Sequence, residues 1–191
     1  RRSYEIIYWT RCKDLWGDRA RFPKTIFHDH DDAIAGKPAD GVDTSGFLPP
    51  SEELIKKMRP VESTVLTMMN KKYEWMGINE RKYFYYNLLR YWGGVLLRYK
   101  PDAIVFGTIP HTVYDFVILS LAEHYGIRAV LFEATWIYDR TVSLNDYRKG
   151  STRLVEELRR NEGRNFAISD LSEDIQEYYR RHTNRAVDAT P

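Results

Sequence analysis

Two short apolar runs flank a longer apolar segment between residues 100 and 140 of the chain. Residues 103–106 form the first run and residues 129–132 the second, and Gly, Pro or Asp bounds each of them. Residues 113–125 are apolar on nearly all sides, as in a helix buried against a sheet, and Gly126 suits a left-handed helix end. This pattern predicts a strand, a helix and a second, parallel strand, and therefore an α/β domain with an open sheet.

Further elements are predicted on both sides of this unit, within a single α/β domain over residues 1–191. We expect strands at residues 4–9 and 24–27, and helices at about residues 51–58, 60–76, 79–99, 151–160 and 172–182. Residues 28–50, rich in Asp, Gly and Pro, are predicted to be a long loop, and residues 170–191 a helical tail. Gly93 and Gly94 indicate a close helix contact or a kink.

Composition excludes several classes of protein. The 191 residues are 43% hydrophobic and 14% aromatic, which is typical of a packed core. A net charge of +2 does not favour nucleic acid as a partner. The single cysteine, Cys12, is expected to be buried; it excludes an intrachain disulfide and favours the reducing cytoplasm. No apolar run reaches the roughly 18 residues of a transmembrane helix, so none is expected.

The loops that follow the two parallel strands hold the first candidate site, because ligands of open α/β sheets bind beyond the carboxyl ends of strands. His111 precedes the predicted helix and is interpreted as a general base, or alternatively as a residue that only caps or packs beside the helix. Asp115 is expected to support the start of that helix electrostatically. Thr108, in the same loop as His111, is a predicted substrate contact.

The second loop supplies the partners of His111 in this prediction. Glu133 is taken as the other catalytic residue, and Thr135, Trp136 and Arg140 as substrate contacts, since arginine suits phosphate or carboxylate recognition. An ion pair between Glu133 and Arg140 that only fixes the loop is an equally good interpretation.

Residues 28–32 form the densest cluster of potential ligands. If this segment is extended, His28 and His30 share one face and Asp29 and Asp31 the other. A metal site, a site for sugar hydroxyls and a solvated turn all fit this pattern. We predict that His28, Asp29, His30 and Asp31 contact substrate and that no metal is bound.

Aromatic residues cluster at 83–86 and 91–92, where they form either a sugar-stacking platform or, more typically for helical spacing, core and rim. The chain has no GxGxxG, GxxxxGK[ST], GxSxG or HExxH motif. The usual signatures of dinucleotide oxidoreductases, P-loop NTPases, serine hydrolases and zinc peptidases are therefore missing.

Residues 80–140 carry a resemblance to a known group of proteins. Lys100-Pro101-Asp102 before a strand, Pro110-His111 after it, Asp115, the segment 122–127 and Arg140 together resemble glycosyltransferase-like proteins of bacterial capsule and surface-polysaccharide biosynthesis. Such proteins are similar to GT-B enzymes, in which two Rossmann-like halves face each other. The resemblance implies that this chain is the N-terminal, acceptor-side half, with a Rossmann-like, mainly parallel sheet flanked by helices.

The resemblance also implies a reaction. A saccharide acceptor hydroxyl, deprotonated by His111 or by a carboxylate of residues 28–32, attacks the donor sugar of a nucleotide sugar. The nucleotide sugar is a substrate, no tightly bound cofactor is expected, and a C-terminal donor-binding half is the expected partner. The alternative is a non-catalytic α/β module that binds a sugar or nucleotide or serves in assembly.

Overall fold

The computed structural model describes residues 4–135, 137 and 140–184 of the chain. It is an α/β protein, as the sequence predicts, and 50% of it is helix. Contacts within the chain divide it into two compact units. The first unit comprises residues 1–104 and 110–129, and the second comprises residues 105–109 and 130–191.

Short strands and longer helices make up the two units. The strands are β1 (Tyr8–Arg11), β2 (Ile26–Asp29), β3 (Ala103–Phe106), β4 (Arg128–Ala134) and β5 (Thr141–Leu144). The α-helices are α1 (His30–Ile34), α2 (Glu52–Lys57), α3 (Arg59–Met68), α4 (Ile78–Tyr99), α5 (Val113–Tyr125), α6 (Thr152–Arg160) and α7 (Glu173–Thr183). Short 3-10 helices span Lys13–Arg21, Met69–Lys71 and Ile168–Asp170.

The strands form two small sheets where the sequence predicted one open sheet. Strands β1 and β2 pair in parallel, with Thr10 opposite His28 and Arg11 opposite Asp29. The other sheet has the order β3-β4-β5 and is mixed, since β4 and β5 run antiparallel. The predicted strand, helix and strand between residues 100 and 140 are confirmed, and Gly126 ends α5 with φ of 69°. The antiparallel β5 was not predicted.

Only the first part of residues 28–50 departs from the predicted loop, because strand β2 and helix α1 extend to Ile34. Strand β2 ends at Asp29. The Asp29 carboxylate accepts hydrogen bonds from the Asp31 and Asp32 N–H groups at 2.8 and 3.4 Å. This N-cap starts α1 at His30, because Asp is among the best N-cap residues. The segment is therefore not extended through Asp31, and the predicted alternation of its side chains is wrong.

Helices α4 and α5 provide most of the core of the first unit. Helix α4 continues through Gly93 and Gly94 without a break. A Cβ at Gly94 would lie 2.3 Å from the Phe47 ring, which identifies Gly94 as the close helix contact. The predicted helix end at Gly126 is present, and the Ser51 hydroxyl caps α2 by accepting from Leu54 N–H at 3.2 Å. Cys12, expected to be buried, is exposed.

The second unit has a much smaller apolar core. Leu131 and Leu144 face each other across β4 and β5 and are 0% and 5% exposed. Helices α6 and α7 contain no buried residue. The Ser151 hydroxyl caps α6 by accepting a hydrogen bond from Leu154 N–H.

Within residues 4–135, 137 and 140–184, no helix is both long and apolar enough to cross a membrane.

Candidate functional site

The carboxyl ends of β1 and β2 meet the start of α5 in the first unit, and polar side chains gather there. Because β1 and β2 are parallel and in register, Cys12 and His30 follow the two strands at the same edge. Open α/β sheets bind ligands at such an edge. We call His30, His111, Thr112, Tyr114 and Asp115 the strand-exit cluster.

His30 and Tyr114 join the strand edge to α5. The Nδ1 atom of His30 lies 2.8 Å from the Tyr114 hydroxyl, and the two rings meet edge to face. Tyr114 is 7% exposed and stacks on Trp92 with 5.8 Å between ring centroids. Burial raises the pKa of Tyr114, so it remains a neutral phenol that fixes the His30 ring.

Asp115 is the carboxylate of this cluster. Burial raises its pKa, an effect that the nearby Thr112 hydroxyl, the His111 N–H and the His111 ring charge partly oppose. The Asp115 Oδ2 atom accepts from His111 N–H at 3.3 Å. Thr112 Oγ1 and Asp115 Oδ1 are both buried and have no hydrogen-bond partner among the described residues.

His111 itself is exposed, and it precedes α5 as the sequence predicts. Its backbone N–H donates to Asp115, and its ring charge acts to lower the pKa of the same carboxylate. A carboxylate that orients or stabilises an imidazole is a common arrangement for general acid–base chemistry. Within the first unit, that carboxylate is Asp115, which the sequence analysis assigned only to helix support.

His28 has a structural role in place of the predicted substrate contact. It is 1% exposed, and its Nε2 lies 2.9 Å from the Lys37 carbonyl oxygen while its Nδ1 lies 2.7 Å from the Tyr8 hydroxyl. A carbonyl only accepts, so Nε2 carries the proton and Nδ1 accepts from Tyr8. Burial lowers the pKa of His28, which favours this neutral ring.

The direction of the remaining hydrogen bonds follows from this tautomer. Tyr8 donates its only proton to His28, so the Tyr91 hydroxyl, 2.8 Å away, donates to Tyr8. Tyr91 in turn accepts from Ala39 N–H at 2.9 Å. We call this series, from Ala39 to Lys37, the Tyr8–His28 chain; it ties both ends of the 37–39 loop to the core.

Two of the three neighbouring acidic residues, Asp29 and Asp32, are also engaged in local structure. Asp29 caps α1, and Asp32 pairs with Lys37 at 3.0 Å. Asp31 is exposed at the first turn of α1. Of the four predicted contacts at residues 28–31, His30 therefore lies in the strand-exit cluster, and Asp31 is the one carboxylate that faces solvent freely.

The second unit holds the other predicted site residues. Glu133 lies at the end of β4, and its Oε2 is 3.5 Å from the Thr108 hydroxyl and 3.4 Å from Ile109 N–H. This confirms that the loop after β3 lies beside the end of β4. His111 belongs to the first unit and Glu133 to the second, so their catalytic partnership stays a prediction.

Thr135 and Arg140 close the loop after β4. The Thr135 hydroxyl bonds to Ile137, and Thr135 N–H donates to the Arg140 carbonyl at 2.9 Å. The Arg140 guanidinium forms its ion pair with Asp174, in α7, and also donates to the Ser172 hydroxyl at 3.3 Å. The partner is therefore Asp174 where the sequence suggested Glu133. Trp136, a predicted substrate contact, lies outside the described residues.

Tyr114 and Asp115 are the members of the cluster whose importance the sequence analysis missed. Both occupy the first turn of a helix that follows a strand-exit loop, and that position was the available signal.

No group of three or more His, Cys, Asp or Glu side chains in the described part of the chain is arranged to hold a metal. Comparison of the chain with protein-family models, curated proteins and solved structures found no match.

Proposed function

We propose that this chain is the acceptor-side half of a glycosyltransferase-like protein of surface-polysaccharide biosynthesis, with the Rossmann-like organisation of one GT-B half. The observation that carries the proposal is the strand-exit cluster, in which an exposed imidazole and a partly buried carboxylate start a helix at the carboxyl ends of parallel strands. Acceptor sugars present hydroxyl groups that such an imidazole can deprotonate.

His111 is the base in the proposed reaction. It takes the proton of an acceptor hydroxyl, the oxygen forms a bond to the anomeric carbon of the donor sugar, and the bond from that carbon to the nucleoside diphosphate breaks. The diphosphate leaves with the bonding electron pair. Asp115 stabilises the imidazolium, and His30, held by Tyr114, contacts the acceptor. The donor sugar is bound by a further, C-terminal half in the cytoplasm.

The test is a product assay on the full-length protein with a panel of nucleotide sugars and saccharide acceptors. Loss of a general base lowers turnover by roughly 10²- to 10⁴-fold, so His111→Ala is expected to lower kcat by at least that lower factor. The matched control is His124→Ala, at the other end of α5, which is expected to retain turnover. Unchanged transfer in His111→Ala would exclude His111 as the base.

A specific observation also favours the second candidate, a non-catalytic sugar- or nucleotide-binding module. Glu133 and Arg140, the charged groups assigned to the reaction in the second unit, are already engaged with Thr108, Ile109, Ser172 and Asp174. This candidate predicts saccharide binding without product. Titration calorimetry with the same acceptors, followed by the product assay, separates the two functions.

A further inference from the structure

Helices α3 and α4 leave a polar groove between them that has no part in the proposed transfer reaction. Two adjoining cavities, each of about 470 Å³, share Lys82 and Tyr86 as lining residues. We call them together the α3–α4 groove. Small-molecule sites commonly have volumes of about 300–1,000 Å³, so a monosaccharide fits either cavity.

The sequence spacing explains why these side chains share one groove. Asn79, Lys82, Tyr83 and Tyr86 recur at intervals of three and four residues along α4, which places them on one helix face. Arg59 and Glu62, three residues apart on α3, line the opposite wall. Part of the aromatic cluster at residues 83–86 therefore faces this groove, whereas Tyr85 is fully buried.

The charges in the groove are arranged around Glu62. Its Oε2 accepts from the Tyr86 hydroxyl at 2.8 Å, and its Oε1 lies 3.6 Å from Lys82 Nζ. The hydrogen bond to Glu62 raises the pKa of Tyr86, with smaller contributions from burial and charge. Tyr86 is thus a neutral donor that is held in place, and Lys82 is only partly neutralised.

Arg59 is the unmatched charge of the groove. Its guanidinium makes no hydrogen bond or ion pair with any described residue. Its positive charge acts to lower the pKa of Tyr86. Arg59 and Lys82 against Glu62 give the groove a local charge of about +1. One bidentate carboxylate would neutralise this charge, whereas a dianionic phosphate would face Glu62 with excess negative charge.

Tyr83 and Asn79 supply the remaining recognition chemistry. Tyr83 is 74% exposed, so its ring is available to stack against the apolar face of a sugar. The Asn79 amide donates and accepts hydrogen bonds, as sugar hydroxyls require. We propose that the α3–α4 groove binds a sugar acid, with its carboxylate on Arg59 and Lys82 and its ring over Tyr83.

The test uses the whole chain and three probes that differ in charge: glucuronic acid, glucose and glucose 6-phosphate. Binding is measured by calorimetry, and the site is located by backbone amide chemical shifts. Glucuronic acid is expected to bind at least 10-fold more tightly than glucose and to shift the amides of residues 59–63 and 79–86. Equal binding of glucose, or tighter binding of glucose 6-phosphate, would overturn the proposal.

Two substitutions with opposite expected signs make the assignment specific. Arg59→Gln is expected to weaken glucuronic acid binding at least 10-fold, because the bidentate partner is lost. Glu62→Gln keeps an oxygen acceptor for Tyr86 but removes the competing charge, so it should tighten binding several-fold. Arg153→Gln, an exposed arginine in α6, is the control and should change nothing. Weaker binding in Glu62→Gln, or no change in Arg59→Gln, would place the carboxylate elsewhere.

Discussion

The Tyr8 hydroxyl donates a 2.7 Å hydrogen bond to Nδ1 of His28, and this bond fixes the direction of the whole Tyr8–His28 chain. His28 is 1% exposed, so neither ring nitrogen can exchange its partner for water. Strand β1, strand β2, α4 and the 37–39 loop are therefore held by one continuous series of donors and acceptors.

Removal of the Tyr8 hydroxyl should be costly for this reason. Tyr8→Phe leaves Nδ1 of His28 without a donor and the Tyr91 hydroxyl without an acceptor, and an unsatisfied buried polar group costs about 1–3 kcal/mol. We expect the free energy of unfolding in urea to fall by about that amount. Tyr4→Phe, at a residue that is 85% exposed, is the control and should be neutral. A loss in Tyr8→Phe no greater than in Tyr4→Phe would argue against the chain.

The same chain predicts a dependence of stability on pH. The folded state lowers the pKa of His28, so between that value and the ordinary value of about 6.5 the unfolded chain binds more protons. Stability from His28 is therefore complete above about pH 6.5 and is lost as the pH falls towards the lowered value. Protonated Nδ1 would donate to Tyr8, reverse the chain and leave Tyr91 O–H without an acceptor.

Urea unfolding of the wild type and of His28→Gln between pH 5 and pH 8 measures this effect. The difference in the free energy of unfolding between the two proteins should shrink as the pH falls. A difference that stays constant over this range would mean that His28 does not titrate on unfolding.

The strand, helix and strand between residues 100 and 140 were predictable because their signals are local. Apolar runs and a glycine at the helix end depend only on neighbouring residues, and β3, α5 and the φ of Gly126 agree with them. The start of α1 was also encoded locally, in the N-cap at Asp29, but the Asp- and Gly-rich composition favoured a loop.

The strand-exit cluster was harder to predict because it depends on distant residues. His30 and Tyr114 are separated by 84 positions and meet only through the packing of α5 beside α1. The role of His28 was missed for the same reason, since its partners, Tyr8 and the Lys37 carbonyl, show no sequence pattern that links them. Sequence spacing identifies which residues share a helix face, but it does not identify the neighbour of that face.

Gly93 and Gly94 provide a matched pair for testing the contact between α4 and the 44–47 segment. A Cβ at Gly94 would lie 2.3 Å from the Phe47 ring, whereas at Gly93 the nearest atom is the Tyr125 hydroxyl oxygen at 3.5 Å. Alanine favours a helix by about 1 kcal/mol over glycine, so Gly93→Ala should raise the melting temperature. Overpacking against Phe47 should make Gly94→Ala about 1–3 kcal/mol less stable. Equal stability of the two variants would contradict the contact.

Asp174 reports on the connection between Arg140 and α7 in the second unit. Its pKa is lowered to about 2, chiefly by the Ser172 hydroxyl and then by Arg140. We expect Ser172→Ala to raise the Asp174 pKa more than Arg140→Ala does, as followed by carboxyl carbon chemical shifts in a pH titration. Both substitutions should change the melting temperature little, because the pair is exposed and screened. A larger effect of Arg140→Ala would make the ion pair the dominant cause.

Asp115 lies in the proposed site, and its burial predicts that it lowers stability at neutral pH. Folding raises its pKa, so the unfolded chain loses this proton first as the pH rises, and stability falls from the ordinary pKa up to the raised one. Asp115→Asn removes that loss and retains an oxygen for His111 N–H. We expect the variant to be more stable than the wild type at pH 7, with the gain vanishing towards pH 4. The exposed residue Asp102 is the control, since Asp102→Asn should give no such pH-dependent gain.

If Asp115→Asn is instead least stable at pH 7, the carboxylate is stabilised by its neighbours, and its retention would need no functional explanation. If the variant gains stability and loses sugar transfer or binding, the carboxylate is kept at a cost to the fold because the site requires its charge.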